Sequence, residues 1–71
     1  MNTAQCRMAR AALGLGLREF AELAGVSVDT IARLQRGEEL KDVTILRIRA
    51  ALEKAGVVFI DENGGGVKLR G

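Results

Sequence analysis

Glycine punctuation is the feature that most limits what this chain can become. Gly14 and Gly16, then Gly25, Gly37 and Gly56, cut the sequence into short segments. Each segment carries apolar residues at helical spacing until the last, where the period changes. At 71 residues the chain has room for one domain, and a domain this small buries only about 60% of its unfolded surface, so every segment has to contribute to the core. The expected architecture is mainly α, a single domain over residues 1–71 with about four helices and a C-terminal β-hairpin.

Residues 3–13 are rich in Ala, Arg, Gln and Met, good or acceptable helix formers, with the Thr3 hydroxyl as the expected cap and Cys6, Ala9 and Leu13 as the inward stripe. Residues 17–24 form a short amphipathic helix with Leu17, Phe20, Ala21 and Ala24 on one face and Arg18, Glu19 and Glu22 off it. Gly25 suits a left-handed residue at the end of that helix, Val26 can tuck inward, and Ser27 caps the next helix. The third helix, 28–36, has Ile31 and Leu34 as its apolar pair and Gly37 as its stop. The fourth, 42–55, takes Asp42 as cap and Gly56 as stop, with Ile45, Ile48, Ala51, Leu52 and Ala55 inward. In the tail, 57–70, the strand formers Val57 to Ile60, a turn-rich stretch from Asp61 to Gly66, and the alternation Val67-Lys68-Leu69-Arg70 predict a hairpin. An isolated hairpin is marginal in water, so its strands should pack on the helices or pair with a second copy.

Composition excludes several function classes. Histidine is absent and Cys6 is the single cysteine, which leaves no intrachain disulfide, no paired-cysteine zinc pattern and no imidazole catalysis; no metal or cofactor is expected. Cys6 sits on an apolar stripe, which favours a buried core thiol over a nucleophile. No stretch approaches the roughly 18 uncharged apolar residues of a membrane span, so a cytoplasmic protein is the expectation. A substrate cleft would draw residues from a small core, so neither an enzyme nor a small-molecule substrate is expected. Gly64-Gly65-Gly66 follows a strand without opening a helix and brings no Lys-Ser/Thr pair, which reads as turn chemistry, not a phosphate loop. Eleven Lys and Arg against nine Asp and Glu give a net charge of +2, mildly basic and naming no partner alone.

Two short helices joined by a tight Gly-containing turn, the second capped by Ser and free of bulky residues on its outer face, fit the geometry that enters a DNA major groove. The residues Leu23-Ala24-Gly25-Val26-Ser27, Thr30-Ile31 and Arg36-Gly37 resemble the helix-turn-helix of lambda-repressor and Cro-like (Xre-type) regulators, over about residues 5–52. The resemblance implies a lambda-repressor-like fold and a sequence-specific transcriptional regulator bound to double-stranded DNA. It further implies a dimeric, autoregulatory repressor on a palindromic operator with half-sites about 34 Å apart, nucleoid-associated in the cytoplasm.

On that resemblance, base reading belongs to Val28, Asp29, Ala32 and Arg33. A guanidinium at Arg33 can bond guanine O6 and N7 together, Asp29 can accept from cytosine N4, and Val28 or Ala32 can touch a thymine methyl. Asp29 equally suits a first-turn carboxylate facing the helix dipole. Phosphate contacts would come from Ser27, Thr30, Arg36, Arg18 and Lys41, with Arg10 grouped among them but also placed where these regulators pair a helix-one arginine with a recognition-helix glutamate. Here Gln35 stands in that second place, offering a hydrogen bond and no ion pair. Gly16-Leu17 replaces the usual hydroxyl cap and phosphate-binding Gln. The tail supplies Val57, Phe59, Val67 and Leu69 as candidate dimer contacts, or else a hairpin that closes only its own core. The rival from another class is a protein-interaction module, an antitoxin or antiactivator on the same scaffold.

Overall fold

The computed structural model describes residues 1–62 and 65–70. Four helices, α1 (Thr3–Leu13), α2 (Leu17–Ala24), α3 (Val28–Gln35) and α4 (Asp42–Lys54), precede an antiparallel hairpin of β1 (Val57–Ile60) and β2 (Gly66–Leu69). The expected mainly helical architecture is the one found, with α3 and α4 each one residue shorter than predicted because Arg36 and Ala55 serve as C-caps. Among the described residues no helix is long and apolar enough to cross a membrane.

Two caps differ from expectation. Asn2, not Thr3, caps α1: its Oδ1 accepts from the Gln5 amide at 2.8 Å, and Gln5 Oε1 accepts from the Asn2 amide at 2.9 Å, a reciprocal capping box. Asn is among the strongest N-caps, and with Gln two residues past Thr3 the reciprocal pair selects it. At α4, Lys41 is the capping residue and makes no side-chain cap bond, while Asp42 is the first helical residue, where its carboxylate complements the helix dipole. Ala55, expected inward, is exposed, since the helix has already ended at Lys54.

The core takes residues from every element: Cys6 and Ala9, Phe20, Ala21 and Ala24, Ile31 and Leu34, Ile48 and Leu52, and Val57. Small alanines at the centre of α2 let α3 approach closely. Between these helices Gly25 adopts φ 69°, and the Val26 amide reaches back to the Ala21 carbonyl at 3.1 Å. That six-residue closure requires a left-handed residue at Gly25, and it turns Val26 onto the core.

The hairpin pairs Val57 with Leu69, Val58 with Lys68, Phe59 with Val67 and Ile60 with Gly66. Directly paired residues share a face, so Val57, Phe59, Val67 and Leu69 lie together, and the first three pack on the helical core. Arg49 of α4 stacks over the Phe59 ring at 4.9 Å and pairs with Glu53 at 3.6 Å. Gln5 pins the other end: buried at 2% exposure, its Nε2 lies 3.1 Å from the Ile60 carbonyl and 3.3 Å from those of Gly66 and the Asp61 side chain. Of the glycine run, Gly65 is a turn residue with φ 90° and Gly66 opens β2, while Gly64 lies outside the described residues.

Candidate nucleic-acid interface

Helix α3 is anchored on one face and open on the other. Ile31 and Leu34 are buried, whereas Val28 (41% exposed) and Asp29 face outward and Ala32 and Arg33 are half-buried beside them. Ser27 caps the helix as expected: its Oγ accepts from the Thr30 amide at 3.1 Å and lies 2.8 Å from the Thr30 hydroxyl. The four predicted base-reading residues therefore share one outward side of a capped helix whose amide end and dipole favour an anion.

Thr30, Arg33 and Lys41 come together around an open cleft of about 330 Å³ completed by Glu39, Leu40 and Thr44. The Thr30 and Thr44 hydroxyls and the cations of Arg33 and Lys41 are donors that phosphate oxygens take, opposed by one carboxylate, that of Glu39. Thr44 had no signal in the sequence, because its place depends on how the 37–41 loop folds back. Arg18 is exposed on α2 and does not line this cleft.

Arg10 is committed elsewhere. Its Nε donates to the Leu15 carbonyl at 2.9 Å and its Nη1 to Gln35 Oε1 at 2.8 Å, while Arg7 donates to the Gln35 main-chain carbonyl. This is the expected α1–α3 tie, a hydrogen bond without an ion pair, and it removes Arg10 from the phosphate-facing set. Gln35 Nε2 is buried without a hydrogen-bond partner, near Cys6, whose thiol is pushed up by burial, partly offset by Gln35, Arg10 and Arg7. At α2, Gly16 caps without a side-chain bond, and Leu17 packs against the core in place of a polar contact.

One residue that sequence reading passed over as loop is Glu38. Gly37, at φ 86°, turns the chain so that the Glu38 amide bonds the Arg33 carbonyl at 3.1 Å. The Glu38 carboxylate then accepts from Arg33 Nε at 3.2 Å through Oε1 and from Arg36 Nε and Nη2 at 2.9 and 2.6 Å through Oε2. The two guanidiniums, Arg36 first and Arg33 second, hold this carboxyl below the usual carboxylate range. Both arginines expected to face nucleic acid thus share one acidic partner.

Among the candidate dimer contacts, Val57 is 1% exposed and belongs to the core of its own chain, so it leaves that set. Phe59 and Val67 are half-buried against the same core, and Leu69, at 48%, keeps an exposed apolar surface. The most exposed large apolar side chains are instead Val43 and Leu46 of α4, each 64% exposed and a helical turn apart.

Compared with models of known protein families the chain matches none, and a search of curated proteins finds no relative.

Proposed function

We propose that the protein is a sequence-specific DNA-binding regulator of the helix-turn-helix kind, with α3 seated in the major groove and the cleft between α3 and α4 on a phosphate. The reading is carried by one observation: Val28, Asp29, Ala32 and Arg33 share the open side of a Ser27-capped helix whose other side, Ile31 and Leu34, is locked into the core. In this reading Arg33 addresses a guanine and Asp29 a cytosine, with Ser27, Thr30, Lys41 and Thr44 on the backbone. The protein acts as a repressor in the cytoplasm, associated with the nucleoid, as a homodimer on a palindromic operator. A single short helix reads few bases, and two linked readers gain affinity without new contacts. With Val57 in the core, the α4 pair Val43 and Leu46, followed by Leu69, are the most exposed large apolar side chains open to the second copy.

Selection from a random DNA library, followed by fluorescence anisotropy across a salt series, tests this. Expected are an enriched palindrome, a log-log salt dependence with a slope of about −0.9 per phosphate contacted, and a loss of about 1–3 kcal/mol at one base position in Arg33→Ala. No enrichment and no salt dependence would refute it. Val43 and Leu46 also favour a second reading, a protein-interaction module, for which binding is apolar and insensitive to salt.

A further inference from the structure

Glu38 treats its two arginines differently, and the difference matches two different jobs. On Arg33 it takes only Nε, and neither terminal nitrogen of that guanidinium has a hydrogen-bond partner among the described residues. On Arg36 it takes Nε and Nη2 together, the edge that a phosphate would otherwise occupy. The carboxylate is exposed, but it stands on a fixed backbone and meets both guanidiniums. Its backbone is pinned by the Glu38 amide on the Arg33 carbonyl and the Gly37 amide on the Leu34 carbonyl at 3.0 Å.

We propose that Glu38 is a specificity-determining positioning residue: it aims the free terminal nitrogens of Arg33 at a guanine edge while withholding Arg36 from the DNA backbone. The inference deepens the DNA-binding reading and rests on it. A guanine edge is neutral and needs two donors in a fixed plane, so fixing Arg33 through Nε costs that contact nothing and removes the freedom of a long side chain. Phosphate attraction is the opposite case. It is unspecific and scales with unpaired positive charge, so one carboxylate placed between two guanidiniums lowers affinity for random duplex more than for the correct site. A negative charge in the reading surface then raises the ratio of specific to unspecific binding.

The test compares Glu38→Gln with Glu62→Gln, which makes the same charge change between β1 and β2 on an exposed side chain that neither lines the α3–α4 cleft nor pairs with either arginine among the described residues. Both variants and the parent are titrated with the selected duplex and with random-sequence duplex over a salt series. E38Q should bind random duplex about three- to tenfold more tightly, steepen its salt slope by about 0.9, the signature of one added phosphate contact, and lose discrimination at the base pair assigned to Arg33. E62Q should leave slope and discrimination as they are, and E38Q combined with Arg36→Ala should return the slope to the parent value. Without DNA, the Nε–H resonances of Arg33 and Arg36 should move in E38Q and stay in E62Q, at unchanged unfolding midpoints. If E38Q and E62Q behave alike while the parent binds DNA, the role of Glu38 is overturned and the DNA reading stands. If the parent binds no duplex with a salt dependence, both are overturned.

Discussion

Gln35 is a half-buried residue whose side-chain amide the fold satisfies only in part, and Gln35→Glu should make the protein more stable. Oε1 already accepts from Arg10 Nη1 at 2.8 Å, whereas Nε2 is enclosed with no partner. The substitution keeps the first contact, converts it into a charge-assisted bond, and replaces the stranded donor by an oxygen that the nearby Cys6 thiol can serve. An unmet buried donor costs about 1–3 kcal/mol, and a hydrogen bond to a charged group contributes about 1 kcal/mol more than a neutral one. Against this stands the desolvation of a carboxylate, several kcal/mol for complete burial but less where, as here, both Arg10 and Gln35 keep some solvent contact. The balance is a gain of about 1 kcal/mol, or about 4–8 °C in Tm for a domain of this size.

The sign of the pH dependence follows. A gain that comes from an ionised carboxylate paired with Arg10 is present where that carboxylate is charged and is lost as falling pH protonates it. Urea unfolding of parent and variant at neutral pH and down an acid series measures both statements. The gain should also vanish when Arg10→Ala is present in both chains, since the cycle isolates the pair. A variant no more stable than the parent at neutral pH, or a gain that survives in the Arg10→Ala background, would refute the reasoning.

Other perturbations have equally definite outcomes. Gly16→Ser, at φ −75° and ψ 174°, places a hydroxyl where α2 lacks a cap and three residues before Glu19, whose flexible tip alone crowds the new Cβ; thermal unfolding should show a gain of about 0.5 kcal/mol. Cys6 should resist a thiol reagent in the native state and react at the rate of global unfolding, because burial both shields it and raises its pKa. Phe20→Ala removes the largest buried side chain and, at about 3–5 kcal/mol, should leave a chain this small largely unfolded by circular dichroism.

The fold was legible because its signals are local. Glycine stops, Ser27 as a cap, the apolar pair Ile31 and Leu34, and the change of period at Val57 are each decided within a few residues, and the helices stand where those signals put them. The caps that were misplaced fail for the same reason on a finer scale. Thr3 and Asp42 are good capping residues, but Asn2 wins through its partner Gln5, and Asp42 serves the dipole from one position inside. Gln5 itself was unreadable. Nothing about a glutamine in the first turn of a helix announces that its amide will close a hairpin 55 residues on.

The candidate site divides along the same line. Which side of α3 faces outward follows from helical period, whereas the base-reading role given to Val28, Asp29, Ala32 and Arg33 on that side is implied by the resemblance. The arginine–glutamine tie at positions 10 and 35 came from resemblance, and the hydrogen bond is there. Glu38 escaped because a loop acid has no periodicity, and its meaning appears only when Gly37 bends the chain back onto the end of α3. Counting Arg33 and Arg36 as free cations would therefore overstate the attraction of this face for phosphate: the geometry gives two guanidiniums and one carboxylate, a net single charge. On the DNA-binding reading proposed above, a helix equipped in this way would be better suited to choosing among DNA sequences than to holding any of them tightly, and a second copy, not more positive charge, would be the physically cheaper source of affinity.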